Sequence, residues 1–170
     1  MTETEAKSQG SPFWRFSLRF YRQQGVADAC IALQEQSGVD VNLLLYLLWH
    51  AQHGRMFLSD EVETIERRVA PWRESTVVPL RVVRRTLKTP PALLDAMAAE
   101  AFRTRIKAVE LEAERLQQEA MYALAAPSGA LSASPAAAAR ANIAAYEKIC
   151  VRPFAQSAVE TLLSQFAMTT

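Results

Sequence analysis

Two cysteines, two histidines and five glycines are all that 170 residues contain, and each scarcity closes off a class of protein. Cys30 and Cys150 lie far apart, with no C-x-x-C spacing, so no disulfide framework or cysteine knuckle is encoded and a reducing compartment is the simpler reading. No Asn-Gly or Asp-Gly turn and no period-2 alternation occur, which removes the ordinary signals for strands and hairpins. A glycine-rich phosphate loop, a G-x-S-x-G elbow and an H-E-x-x-H pattern are equally missing. The four aspartates, Asp28, Asp40, Asp60 and Asp95, are isolated, so the chain lacks the aspartate-rich turns of a helical isoprenoid-synthase type of site. Glu63 and Glu66 share a helix face with Asp60, but no second acidic helix matches them, and a di-metal bundle would want half its ligands. No charge of one sign predominates: 19 bases face 18 acids, a net charge of +1, and nothing global selects a polyanion. The longest apolar run, Leu43 to Trp49, is far short of the roughly 20 residues that span a bilayer. The polar start MTETEAKSQG carries no apolar stretch of a secretory leader. A cytoplasmic protein is expected.

What remains is helix-forming. Half the residues are apolar, enough for one core, and alanine, leucine, glutamate, glutamine and arginine dominate. The expected fold is all-α. Ser11-Pro12 opens a first helix with an aromatic face, Phe13, Phe16 and Phe20. A second runs from Val26 to Ser37, stopped by Gly38. Asp40 caps the third, DVNLLLYLLWHAQHG, closed by Gly54. Its middle is apolar on every side, the mark of a buried central helix. Ser59 is expected to cap a fourth helix, acidic at its start and basic at its end. Pro71-Trp72 should restart the chain as a fifth, which Pro79 kinks or splits.

After Thr89-Pro90-Pro91 the longest periodic segment, residues 91–126, predicts a long helix. Phe102, Ile106, Val109, Ala113, Leu116, Ala120 and Ala123 recur at heptad-like spacing, a seam that suits a partner helix or a second copy of the chain. The organisation expected is a disordered stretch over 1–10, a helical domain over 11–126, a small-residue linker over 127–135 and a helical tail over 136–170, which could fold back on the long helix as a cap.

The strings SPFWRFSLRFY, GVADACIALQEQSGVDVNLLLYLLW and WRESTVVPLRVVRRTLK, in that order, resemble a proteobacterial family of small helical cytoplasmic proteins catalogued as a domain of unknown function. The resemblance covers about residues 13–88 and extends more faintly through IKAVELEAERLQ, to about residue 118. It implies an all-helical fold and brings no activity, cofactor or catalytic residue.

Candidate chemistry is sparse. His50 and His53, one turn apart, are the weak metal candidates; with no further histidine they read better as marking where the buried helix reaches the surface. Cys30 sits on an apolar face and reads as packed rather than nucleophilic. Asn42 reads as fixing the register of the central helix, and Trp72 as core. No cofactor is expected. The strongest patch is basic: Arg81, Arg84, Arg85 and Lys88 share one helix face, with Arg73 just upstream. Such a stripe can dock an acidic protein or phosphates, or pair internally with the glutamates of the long helix. The function expected is that of a non-enzymatic interaction or adaptor protein acting through the long charged helix and this basic face. Nucleic-acid or ribosome binding through Arg81–Lys88 is the first alternative, and a helical enzyme or apolar-ligand binder the second.

Overall fold

The computed structural model describes residues 10–124 and 134–169. They form helices α1 (Pro12–Tyr21), α2 (Val26–Ser37), α3 (Val41–Ala51), α4 (Ser59–Trp72), α5 (Val78–Thr86), α6 (Ala96–Tyr122), α7 (Pro135–Glu147) and α8 (Gln156–Thr169), with a π-helical turn, Arg73–Val77, between α4 and α5. No strand occurs among the described residues, so the fold is all-α. The expected disordered stretch over 1–10 and the linker over 127–135 lie outside the described residues, save Gly10, Ser134 and Pro135.

α3 is the central helix. Every residue from Asn42 to Leu48 is buried. Asp40 caps it, its Oδ1 accepting from the amides of Asn42 (2.8 Å) and Leu43 (3.4 Å). α1 lays its aromatic face on α3: Phe13 meets the ring of Tyr46 edge-on at 5.4 Å. Ser11 caps α1, as its pairing with Pro12 predicts, accepting from the amide of Trp14 at 3.0 Å.

The C-terminal helices are part of this core, not an appendage on the long helix. α7 packs on α3 and α4, and α8 on α2. Ala138, Ala139, Ile143, Tyr146, Leu162 and Phe166 are all buried in the same apolar cluster as α3. Asn142, fully buried, clamps the chain that leaves α3: its Oδ1 accepts from the amide of Phe57 (2.8 Å), and its Nδ2 donates to the carbonyls of Leu47 and Arg55 (both 2.9 Å). Tyr146 donates nothing to this loop; its hydroxyl accepts from the backbone amide of Asp40 at 2.8 Å.

Four boundaries differ from expectation. α4 begins one residue earlier than a Ser59 cap allows: Leu58 is the cap residue, and Glu61 reaches back to accept from its amide at 2.8 Å. The chain does not restart at Pro71. α4 runs through it, and the break arrives at the π turn, where Val78 donates to Arg73 rather than to Glu74. Pro79, which has no N–H to offer Ser75, explains the loss of α-helical pairing there. The long helix spans Ala96–Tyr122 rather than 91–126, because Asp95 caps it through the amide of Ala98 (2.8 Å). Nor is the seam one face: Ala113 is buried, whereas Phe102, Val109 and Leu116 point outward. A period of 3.5 read over 22 residues drifts round a straight helix by about 20° per heptad.

Asn142→Ala should destabilise the fold by roughly 2–4 kcal/mol, since a buried amide leaves with the partners of three hydrogen bonds. Urea unfolding followed by circular dichroism measures it. A loss under about 0.5 kcal/mol would mean that α7 does not hold the α3–α4 connection.

Candidate functional site

α5 and the first half of α6 form a two-helix arm. No residue of α5 is buried, and from Ala96 to Val109 only Ala99 is. Burial of apolar side chains therefore does little to hold the arm to the body. Charge holds it. Arg81 bonds Glu110 through Nε (3.1 Å) and Glu114 through Nη2 (2.9 Å). Arg84 grips Glu110 as well, through Nε and, at 3.2 Å, through Nη2. Glu110 is only 5% exposed, so each guanidinium neutralises a carboxylate that has left water. The bond to Glu110 outweighs burial and raises the Arg84 pKa; burial raises that of the Glu114 carboxyl against the pull of Arg81. Arg85 reaches α2 and pairs with Glu35 at 3.0 Å in the open.

A polar relay continues inward from these pairs. Arg73 is swung inward at the start of the π turn, between Glu66 (2.6 Å) and Asp40 (3.1 Å). Burial works against its charge, but the bonds to Glu66 and Asp40 prevail and its pKa is raised. Gln117 donates to Asp40 Oδ2 at 2.7 Å, and Gln118 to Asn42 Oδ1 at 2.7 Å. Asn42 thus ties α3 to α6 side chain to side chain, a structural role as expected. Between this relay, α1, α2 and the arm lies an open cleft of about 830 Å³.

The basic stripe is therefore not one uniform exposed face. Arg81, Arg84 and Arg73 are mostly spent on carboxylates; Arg85 is half-exposed in its pair, and Lys88 is exposed. Trp72, expected in the core, is 39% exposed and donates from Nε1 to the carbonyl of Ala113 (3.0 Å), because the continuous α4 carries it to the flank of α6. The histidines part company. His53 is exposed. His50 does not mark the surface: it is buried among Tyr46, Trp49 and Phe57, with no partner for Nε2. No group of three or more His, Cys, Asp or Glu among the described residues is arranged to hold a metal ion. Cys30 is fully buried, which pushes its thiol up to about 12 and leaves it a poor nucleophile. No described helix is long and apolar enough to cross a membrane. Sequence reasoning offered the glutamates of the long helix as internal partners for the arginines, but missed Gln117 and Gln118 as inward-facing groups. Their only signal was a polar side chain falling on the inner face of α6, and the drift of the seam hid that face.

Residues 12–121 match the model of a family described as a protein of unknown function (DUF2390). No curated protein and no solved structure matches the chain.

Arg81→Gln with Arg84→Gln should lower stability by roughly 3–5 kcal/mol, because Glu110 is left buried without a counter-charge. Thermal melting checks it, and an unchanged melt would mean that the arm does not rely on these pairs.

Burial, with help from Arg55 and His53, pushes the His50 imidazole down to about 4 from 6.5. A lowered folded-state value stabilises the fold in full above about 6.5 and is lost as pH falls towards 4, by roughly 3 kcal/mol in all. His50→Phe should flatten the fall in unfolding free energy between pH 6.5 and 4.5. An identical pH profile in both proteins would assign the fall to other groups.

Proposed function

Because the chain belongs to the DUF2390 family, whose description assigns no activity, we propose its function from geometry: a cytoplasmic, non-enzymatic interaction or adaptor protein that engages a partner through the α5–α6 arm. One observation carries this reading. The arm tip exposes large apolar side chains that no described residue covers: Leu93 is 94% exposed and Met97 83%, with Leu94 and Phe102 about half-exposed beside them. Clustered exposed apolar side chains are the usual sign of a docking surface. Charge gives the partner its character. Residues 78–109 hold seven bases and two acids, whereas the rest of the chain holds twelve bases and sixteen acids. An apolar tip flanked by bases suits a protein with an apolar pocket and an acidic rim. Catalysis has less support: no nucleophile–base pair or metal-binding group occurs among the described residues.

Nucleic-acid binding draws on the same basic surplus and is the second reading. Arg81 and Arg84, at its centre, already serve Glu110 and Glu114, so phosphates would have to compete for them.

Leu93→Ser with Met97→Ser should leave melting within about 0.5 kcal/mol of the parent, since both side chains are exposed. In a pull-down from the native cytoplasm, read by mass spectrometry for protein and RNA, the parent should retain a protein that the double variant loses. Equal recovery by both would overturn the proposal. RNA recovery that falls steeply with salt would favour the second reading instead.

A further inference from the structure

The cleft behind the arm is not needed for docking at its tip, and its lining is chemically specific. At about 830 Å³ it falls in the range of small-molecule sites. Leu18, Tyr21, Ile31, Leu45 and Val77 supply apolar wall. Among them sit three polar atoms without a partner: Ser17 Oγ, Gln117 Oε1 and Gln118 Oε1, on residues that are 3%, 3% and 2% exposed. Gln117 Nε2 is held by the carboxylate of Asp40, which can only accept, so the free atom of Gln117 is a carbonyl oxygen, itself only an acceptor. Gln118 Nε2 is held by the amide oxygen of Asn42. The lining therefore calls for a hydrogen-bond donor.

The mouth calls for an anion. Each lining carboxylate already has an arginine: Glu35 has Arg85, Asp40 has Arg73, and Glu110 and Glu114 share Arg81 and Arg84. Three more bases line the cleft, Arg22 from the end of α1, Lys88 from beyond α5 and Lys107 from α6. None of the three has a carboxylate within 4 Å among the described residues. Bases converging from three elements on one mouth leave a local positive surplus that a low-dielectric wall concentrates.

We propose that this cleft binds a small amphipathic anion: an apolar or aromatic body with one carboxylate, sulfonate or phosphate group at the mouth and an N–H or O–H donor turned to Gln117 and Ser17. The ligand would bridge α1–α3 and the arm.

Two dyes differing only in charge test it. 8-Anilinonaphthalene-1-sulfonate carries an aromatic body, an N–H donor and a sulfonate; N-phenyl-1-naphthylamine lacks the sulfonate. In the wild-type protein, the sulfonate dye should bind saturably and shift the backbone amide NMR signals of Ser17, Arg22, Ile31 and Gln118, leaving those of α7 unmoved. Arg22→Gln with Lys107→Gln should weaken the sulfonate dye roughly tenfold, as expected for lost charge-assisted contacts, and the neutral dye by less than about twofold. No saturable binding, shifts centred elsewhere, or equal affinity of both dyes for both proteins would overturn the proposal. If the double variant does not fold, the wild-type shifts and the affinity difference between the dyes decide alone.

Discussion

Asp40 is 5% exposed, yet four elements meet on it. One oxygen caps α3, the other takes Arg73 and Gln117, and its amide donates to Tyr146. A buried carboxylate is tolerated only when its lone pairs are taken and its charge is answered. Here the carboxylate's partners come from three different segments, the first turn of α3, the π turn and α6, while α7 receives the backbone amide. The side chain therefore does more than end a helix. It fixes where the π turn must deliver a guanidinium and which face α6 must present. The relay Glu66–Arg73–Asp40–Gln117 is the polar counterpart of the aromatic packing between α1 and α3, and it marks the seam where body gives way to arm.

α6 lives in two environments. Its C-terminal half is anchored in the body by Ala113, Gln117, Gln118 and Met121 and holds α5 through ion pairs at Glu110 and Glu114, while its N-terminal half, to Val109, buries only Ala99. Apolar burial is non-directional and proportional to area, whereas a guanidinium–carboxylate pair has a set geometry and little area. The arm is thereby held in orientation without being buried, which keeps its apolar tip open. Elements with few buried contacts and exposed backbone sit at the low-stability end of a fold, where binding segments are commonly found.

The sequence shows the body more plainly than the site. Ser11-Pro12, Asp40, Gly38 and the all-apolar Leu43–Trp49 announce three helices and the identity of the central one, because each depends on local chemistry that any window of the chain reveals. The cleft depends on partners 26 to 77 residues apart, Arg84 with Glu110 and Asn42 with Gln118 among them. No local pattern encodes which arginine finds which glutamate, so a spacing that lines four bases along one face could not tell a docking stripe from a set of struts. His50 shows the same limit from the other side. A polar residue at the end of an apolar run suggests a surface, and only the ring of Tyr46, Trp49 and Phe57 around it reveals that the apolar environment continues one turn further.

The π turn at Arg73–Val77 holds one residue more than an α-helical turn would. An α-helix advances about 100° per residue, so that single residue sets the phase of everything after it in α5. It turns Arg81 and Arg84 to α6 and leaves Val82 and Val83 in the open. A one-residue deletion within the turn would regularise the helix and swing the arginines away from Glu110. Chain length between Arg73 and Arg81, with Pro79 inside it, is thus a tight constraint on the arm, and kindred chains that keep the cleft should hold that spacing fixed.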